Sequence, residues 1–253
     1  MPIKQLNITQ KDTYVIGDLH GEFNLLGYLI KESKLEDACI IIAGDCGFGF
    51  EKPPHYEHMY NRMKDILIKN NILILFVRGN HDDPTYFGGV NNIDFEYFKT
   101  IEDYSLLHLN DGSSVLCIGG GISIDRRFRR QGESYWKDEL PVFRPDLLNY
   151  MYHINANIKT VITHTAPSFV PLYTKIGVES FIEKDPTLEK DMDSERRIMD
   201  QIYYNLEKYS LNKVTQWFYG HFHGHGITMY EDIKFVMLDR VNPHFNKWDI
   251  HKI

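Results

Sequence analysis

Short apolar runs of strand length recur along the chain, and each has an Asp, Asn or His at or next to its end. Five of them are "TYVIGD" (13–18), "ACIIIAGD" (38–45), "NILILFVRGN" (71–80), "TVITHT" (160–165) and "TQWFYGH" (215–221). Runs of this kind, bounded by turn residues, predict buried strands. Segments with helical spacing, 22–34 and 55–70, separate the first three runs. This β-α-β-α-β start predicts parallel strands joined by helical crossovers, with both faces of the sheet covered.

The second half of the chain has a different pattern. From Tyr104 the closely spaced runs "YSLLHL" and "SSVLCIGGG" predict a hairpin on a second sheet, and "GITMYE" with "IKFVML" predict another pair. Helical patterns cover 145–158 and 191–209. We therefore predict an α/β fold in which two mixed β-sheets pack as a sandwich flanked by helices, in four layers. Because no linker or internal repeat interrupts it, we expect residues 1–253 to form a single domain.

Composition narrows the class of protein. Of 253 residues, 43% are hydrophobic and 25% charged, which fits a globular enzyme and argues against disorder. The net charge of -7 argues against strong non-specific binding to nucleic acid. No segment approaches the roughly 20 apolar residues of a membrane span, and none at the start resembles a signal peptide, so we expect a cytoplasmic protein. We expect Cys39, Cys46 and Cys117, which form no Cys-x-x-Cys pair, to pack rather than react.

Metal-ligand side chains follow all five apolar runs. A lone Asp after a strand is usually a turn former and a lone His usually packs, but here the same edge of the fold would collect them all. Carboxylate, imidazole and amide oxygen suit Mn, Fe or Zn, and no cysteine joins the set to indicate a structural zinc site. The candidates are Asp18, His20, Asp45, Asn80, His164, His221 and His223.

In this order, the blocks "GDLHG", "GDCG", "GNHD", "THTAP" and "GHFHG" resemble those of the calcineurin-like metallophosphoesterase superfamily. The stretch "GGGISIDRRFRRQGESYWKDE" (119–139) is similar to one in bacterial and phage-associated members. The resemblance implies a double β-sandwich flanked by helices. It also implies a dinuclear metal-dependent phosphoesterase, which hydrolyses phosphomonoesters or phosphodiesters by attack of a hydroxide shared between two metals.

The resemblance implies a role for each matching residue. One metal is held by Asp18, His20, Asp45 and His223. Asp45 also bridges to a second metal, whose other ligands are Asn80, His164 and His221. Manganese is expected first, with iron or zinc as alternatives.

The residues after Asn80 complete the implied machinery. His81 would donate a proton to the leaving oxygen or stabilise it. Asp82 would orient the His81 imidazole and stabilise its protonated form, as carboxylates do for imidazoles near metals. The alternative for Asp82 is a cap on the helix after Pro84.

These sequence blocks do not identify the substrate. Protein phosphatases and dinucleoside polyphosphate hydrolases of the superfamily carry Asp-Arg-Gly after their Gly-Asp, with the Arg gripping phosphate, whereas this chain has "GDCGFGFEKP". We expect a small phosphorylated or nucleotide-like substrate. One alternative is that the protein is a protein phosphatase or a dinucleoside polyphosphate hydrolase. A second is a nuclease, which the net negative charge of the chain disfavours. A third is a protein-binding scaffold, which is disfavoured because every metal-ligand position is filled.

The arginine run "RRFRR" is the candidate source of the missing phosphate grip, since a guanidinium binds phosphate in a bidentate manner. In an extended loop, Arg127 and Arg129 would share one face and Arg126 and Arg130 the other. We expect Arg126, which follows a strand directly, to bind phosphate, with Arg78 as a second candidate. The alternative is a solvated basic loop.

Overall fold

A computed structural model of the protein describes residues 3–173, 177–208, 213–241 and 249–253. The strands within these ranges are β1 (Gln5–Asn7), β2 (Asp12–Ile16), β3 (Ala38–Ile42), β4 (Ile72–Phe76), β5 (Asp94–Phe95), β6 (Phe98–Thr100), β7 (Ser105–His108), β8 (Ser114–Ile118), β9 (Ile158–Thr163), β10 (Gln216–Tyr219), β11 (Gly226–Tyr230), β12 (Ile233–Met237) and β13 (His251–Lys252). The α-helices are α1 (Phe23–Glu32), α2 (Pro53–Asn70), α3 (Pro145–His153), α4 (Glu179–Ile182) and α5 (Leu188–Lys208).

The strands form two mixed sheets. One has the order β13-β2-β3-β4-β6-β5, and its central strands β2, β3, β4 and β6 are parallel. The other has the order β1-β7-β8-β9-β10-β12-β11, with β8, β9, β10 and β12 parallel. The two predicted antiparallel pairs are present as β7 with β8 and β11 with β12. The predicted α/β sandwich of two mixed sheets is confirmed.

Strand β3 shows why the apolar runs fold in this way. All of its residues are buried, and alternate side chains face opposite sides of the sheet. Ile40 and Ile42 pack beneath α1 and α2, whereas Cys39 and Ile41 belong to a core between the two sheets. Burying each large aliphatic side chain contributes about 1.5–3 kcal/mol. A strand covered on both faces therefore needs the continuous apolar run that the sequence has.

Three apolar cores separate the four layers. The first lies between the helices α1 and α2 and the six-stranded sheet, and the second lies between the sheets. The third joins the seven-stranded sheet to α3 and α5, through residues such as Leu148 and Met199. Within the described ranges, no helix is long and apolar enough to cross a membrane.

The cysteines pack as expected. Cys39 and Cys117 lie in the core between the sheets. Cys46 is fully buried, and its thiol donates to the Val77 carbonyl oxygen at 3.2 Å. Burial raises the pKa of the Cys46 thiol well above its usual value, which excludes a thiolate nucleophile at neutral pH.

Helix boundaries differ from the sequence prediction. The helix expected over 145–158 ends at His153, because the chain turns through the left-handed Asn155 (φ 52°) and Ile158 already belongs to β9. Helix α5 begins at Leu188, before the predicted start at residue 191. Its predicted end, Tyr209, lies outside the described residues.

Candidate metal centre

The candidate ligands lie in the loops that follow β2, β3, β4, β9 and β10, so both sheets contribute to the site. The structure brings the predicted ligands together in two groups whose donor atoms lie within 4.8 Å of one another. The first group is Asp18, His20, Asp45 and His223. The second group is Asp45, His164 and His221, and the amide oxygen of Asn80 lies 2.9 Å from His164 Nε2. Asp45 belongs to both groups.

In the first group, two imidazoles converge on buried carboxylates. The Nε2 atoms of His20 and His223 are 3.0 Å apart, and His223 Nε2 lies 3.1 Å from Asp18 Oδ2. His20 Nε2 is 4.0 Å from Asp45 Oδ2. Asp18 and Asp45 are almost completely shielded from solvent, at 0% and 1% exposure. Four donor groups thus face one small volume.

In the second group, backbone contacts fix the direction of His164. Its Nδ1 lies 2.8 Å from the Ala43 carbonyl oxygen and donates to it. This bond keeps a proton on Nδ1, so Nε2 is the nitrogen that would bind a metal once its own proton is displaced. Nε2 is 3.3 Å from Asp45 Oδ1. The imidazole is therefore prepared as a ligand before any cation binds.

A hydrogen-bonded chain orients Asn80. Its Nδ2 donates to Ser123 Oγ at 3.0 Å, and that hydroxyl donates to Glu139 Oε2 at 2.6 Å. Because the amide nitrogen is engaged, the amide oxygen faces the ligand group. Ser123 and Glu139 were missed by the sequence analysis, since their spacing carries no signal that relates them to Asn80.

Four of the candidate ligands have left-handed backbone angles: His20 (φ 48°), Asp45 (45°), His221 (71°) and His223 (49°). Such angles are uncommon outside glycine and cost about 1–3 kcal/mol each. Cross-loop hydrogen bonds hold them, including His20 N–H to the Asp45 carbonyl oxygen at 2.7 Å and His221 N–H to Asp18 Oδ1 at 3.0 Å. Concentrated backbone strain of this kind is typical of functional sites.

Glycines in the ligand blocks allow the close approach of these loops. A Cβ atom at Gly79 would lie 2.2 Å from Asp45 Oδ1, and one at Gly220 would lie 2.1 Å from Asp18 Oδ1. Any larger residue would displace a carboxylate from the centre. The glycine before Asn80 and the glycine before His221 are thus required by packing against ligands from other strands.

The charges of the centre favour cations. Burial raises the pKa of Asp45, but the His164 and His81 imidazoles outweigh it and hold this pKa well below its usual range. Burial lowers the pKa of His164, but the Asp45 and Asp18 carboxylates raise it to about 10. Without a cation, the His164 imidazolium therefore offsets only one of the two buried carboxylate charges. Buried carboxylates with converging imidazoles and an amide oxygen fit divalent transition metals.

His81 lies beside the two groups without joining either. Its backbone N–H donates to Asp45 Oδ1 at 2.8 Å, and its Nε2 is 3.9 Å from Asp45 Oδ2. The same Nε2 is 3.4 Å from an Arg129 nitrogen. His81 Nδ1 is buried and has no hydrogen-bond partner among the described residues. The imidazole therefore faces the cavity above the ligands.

Asp82 does not contact the His81 imidazole, so the predicted orienting role is corrected. Its carboxylate accepts from the backbone N–H groups of Gly79 and of residues 46–48, at 2.7–3.0 Å. These bonds tie the loop after β3 to the loop after β4. The cap of the turn after Pro84 is Asp83, which accepts from Thr85 N–H at 2.9 Å.

The arginine run is not extended, which corrects the expected alternation of its side chains. Arg126–Phe128 form a 3-10 turn. Arg126 donates to Asp185 and Asp191, both at 2.7 Å. It therefore binds helix α5 and the turn before it, rather than the metal centre.

The hydrogen bonds of Arg78 are also made to groups outside the metal centre. It is buried, donating to Asp103 at 2.8 Å and to the Glu139 carbonyl oxygen at 2.9 Å. Arg129 is the member of the run that reaches the cavity over the ligands. Asp125 fixes its direction, because Oδ1 accepts from Arg129 Nε at 2.6 Å.

A model of the calcineurin-like phosphoesterase family matches residues 12–225, which include every candidate ligand. The chain belongs to this family. As a calcineurin-like phosphoesterase, it is a metal-dependent hydrolase that acts on phosphoester bonds. Among curated proteins, none matches the chain.

Several solved structures have a similar fold. Phosphopantetheinyl hydrolase from Mycobacterium tuberculosis is 13% identical, with 97% of this chain and 96% of that chain covered and a TM-score of 0.46. GAP50, the anchor in the inner membrane complex of Plasmodium, is 14% identical, with 91% and 72% covered and a TM-score of 0.46. A putative 5'-nucleotidase from Staphylococcus aureus is 14% identical, with 89% and 48% covered and a TM-score of 0.44. None of these similarities carries information about the substrate.

Proposed function

We propose that the protein is a dinuclear metallophosphoesterase that hydrolyses phosphomonoesters or phosphodiesters. The observation that carries the proposal is the position of Asp45, whose carboxylate belongs to both ligand groups. Cations held by these two groups would polarise phosphate oxygens and activate water. Manganese is our first choice, with iron or zinc as alternatives, because all three accept mixed oxygen and imidazole ligands.

The chain's own residues bind the cations and remain fixed while the reaction proceeds. Asp18, His20, Asp45 and His223 form one set of ligands, and Asn80, His164 and His221 complete the other with Asp45. The Ala43 carbonyl oxygen fixes His164, and Ser123 fixes Asn80. These contacts support a preorganised site, which needs little rearrangement when the substrate binds.

We assign proton transfer to His81. Its imidazole faces the cavity beside Asp45 and holds no hydrogen bond through Nδ1 to the described residues. The atom that would give a proton to the leaving oxygen is Nε2, which lies 3.9 Å from Asp45 Oδ2, whereas Nδ1 is buried. Asp82 supports this group indirectly, because it holds the loop that carries it.

We assign phosphate binding to Arg129 in place of Arg126. Arg129 Nε is bound to Asp125 and Nη1 lies 3.2 Å from the Ser134 carbonyl oxygen, whereas Nη2 points toward His81. A guanidinium held on two sides presents its remaining N–H groups in a fixed direction. Arg129 would thus supply the cation that the protein phosphatases and dinucleoside polyphosphate hydrolases of the superfamily carry shortly after their Gly-Asp.

Metal stoichiometry tests the proposal. Purified protein incubated with Mn, Fe or Zn should bind two metal ions per chain and hydrolyse an aryl phosphate ester with added Mn. Asp18→Asn should reduce the stoichiometry toward one, whereas Asp45→Asn should release both ions, because only Asp45 is shared. Elemental analysis and initial rates measure both effects.

Asp249→Asn is the matched control. Asp249 lies with His225 and His251 in a cluster of similar composition outside the centre. The variant should keep two metals and full activity. At most one metal at saturation, with no turnover of any phosphate ester, would favour a protein-binding scaffold over the proposed enzyme.

A further inference from the structure

Several apolar side chains line the cavity over the candidate ligands, beside its polar residues. We define the apolar wall as Leu172, Val178, Phe181, Met192 and Phe222. We propose that the substrate is a phosphate ester whose leaving group is an apolar organic body seated on this wall. The proposal rests on the function proposed above and adds the class of leaving group to it.

The cavity is larger than the phosphate requires. Its volume is about 450 Å³, within the range of about 300–1,000 Å³ found for small-molecule sites. His20, Asp45, Asn80 and Arg129 are among the residues on its polar side. A phosphate bound by the metals and Arg129 must therefore project its ester substituent into the remaining space, where the apolar wall lies.

The wall itself is incompletely buried. Phe181, Met192 and Phe222 are each partly exposed, although they are large apolar side chains. Ile122 and Ile124 extend the apolar lining toward the ligands. An apolar ligand group that covers this surface removes its own apolar area and that of the wall from water. Each methylene of the ligand that is buried in this way strengthens binding about 4-fold.

The polar groups near the wall are already engaged or exposed to solvent. Arg196 donates to the carbonyl oxygens of Ala166, Pro167 and Val170. The buried Glu195 accepts from Ile122 N–H at 3.0 Å. The other charged groups of this side, Asp193 and Arg240, are exposed. Sugar or peptide leaving groups would find few fixed partners here, whereas an apolar group needs none.

The wall is held in place by Arg126. Phe181 lies on α4 and Met192 on α5, and Arg126 binds Asp185 and Asp191 between and beside them. Phe128 adds an edge contact to Phe181, with ring centroids 6.2 Å apart. A surface fixed in advance loses less conformational entropy when a ligand binds. The same turn therefore has two effects. Through Arg126 it positions the apolar wall, and it places Arg129, the proposed phosphate-binding residue, beside the cavity.

A series of n-alkyl phosphates from ethyl to octyl tests the proposal, because the pKa of the leaving alcohol is nearly constant along it. With Mn added, kcat/KM should rise about 4-fold for each methylene until the cavity is filled. Met192→Ala and Phe181→Ala should lower kcat/KM for hexyl phosphate about 10-fold and leave ethyl phosphate nearly unchanged. Met229→Ala, at an exposed methionine of β11, is the matched control and should change neither.

Binding measured without turnover separates this inference from the proposed function. Calorimetry with n-alkylphosphonates, which are not hydrolysed, should show tighter binding with chain length, and Met192→Ala should flatten the series. If no ester is cleaved but the phosphonates show this trend, the hydrolytic function fails and the wall's preference stands. Cleavage with no dependence on chain length overturns the inference. Tighter binding of a nucleoside 5'-phosphate than of hexylphosphonate, unaffected by Met192→Ala, also overturns it.

Discussion

The two side chains proposed to transfer a proton and to bind phosphate, His81 and Arg129, both line the cavity over the ligands. Arg129 Nη2 lies 3.4 Å from His81 Nε2, and neither residue belongs to the two ligand groups. Substituting either should therefore leave the metal content unchanged. This makes single-residue kinetics informative at this site.

His81→Ala should lower kcat by roughly 10²–10⁴ for esters with poor leaving groups, because these need a proton in the transition state. Aryl esters with acidic leaving groups should be much less affected. The measurement is kcat against leaving-group pKa for the wild type and the variant, with metal content determined on the same samples. An equal loss along the whole series would remove the proton-donor role.

Arg129→Ala should lower kcat/KM by about 10- to 100-fold, as expected for the loss of a charge-assisted hydrogen bond to phosphate. Arg129→Lys should recover only part of this, since the charge remains but the planar fork is lost. Arg130→Ala is the control from the same loop, because the Arg130 side chain is 83% exposed. Wild-type kcat/KM in Arg129→Ala would show that phosphate is held by the metals alone.

Ligand identity could be predicted at this scale, whereas the direction of side chains could not. Strand ends followed by Asp, His and Asn indicated where donors would converge, and the structure brings them together. Arg126 and Asp82 were assigned to the wrong neighbours. Local backbone decided both cases, since a 3-10 turn rotates Arg126 toward Asp185, and backbone N–H groups of the loop after β3 bind Asp82.

At the scale of elements, the turn Arg126–Phe128 joins the loop after β8 to α4 and α5. Asp185 is the centre of this contact and is nearly inaccessible, with a side chain 2% exposed. The hydrogen bond from Arg126 lowers the pKa of Asp185 to about 2. A carboxylate with a pKa lower in the folded than in the unfolded state stabilises the fold above its unfolded pKa.

Asp185→Asn should therefore lower the free energy of unfolding by about 1–2 kcal/mol at pH 7. The difference from the wild type should shrink as the pH falls from about 4 through 2, because Asp185 is protonated in both states only below about pH 2. Urea unfolding at several pH values measures it. Asp232→Asn, which removes an exposed partner of Lys213, should have no measurable effect. A pH-independent difference would contradict an electrostatic origin.

The types of element followed from hydrophobic periodicity, but their ends did not. The predicted crossover helices are present as α1 and α2, and Pro53 marks the start of α2. The end of α3 was misplaced because the apolar residues Ile154, Ala156 and Ile158 continue the pattern through a turn and into β9. Periodicity alone does not separate a helix end from the strand that follows it closely.

At the scale of the molecule, each ligand group contains residues from both sheets. Metal binding should therefore stabilise the packing of one sheet on the other. We predict a single cooperative unfolding transition, as expected of one domain, that shifts down by about 5–10 °C when a chelator removes the metals. Calorimetry with and without chelator tests this. Two separate transitions would contradict the single-domain prediction.

The four-layer arrangement could be predicted, whereas the edges of the sheets could not. Alternating strands and helices followed by hairpins indicated two covered sheets. The pairing of β1 with β7 and of β13 with β2 was not foreseen, because strands of three and two residues are too short to show a period. Their partners are set by the packing of the whole chain.

The spread of the ligands along the chain, from Asp18 to His223, determines when during its synthesis the protein acquires its metals. Each ligand group includes a residue made late, His223 in one and His221 in the other. At translation rates of about 5–20 residues per second, roughly 10–40 s pass between the appearance of Asp18 and that of His223. The nascent chain on the ribosome therefore holds only carboxylates and incomplete imidazole sets for most of this time. Metal selection is accordingly made by the finished fold, from the cations available after translation has passed His223.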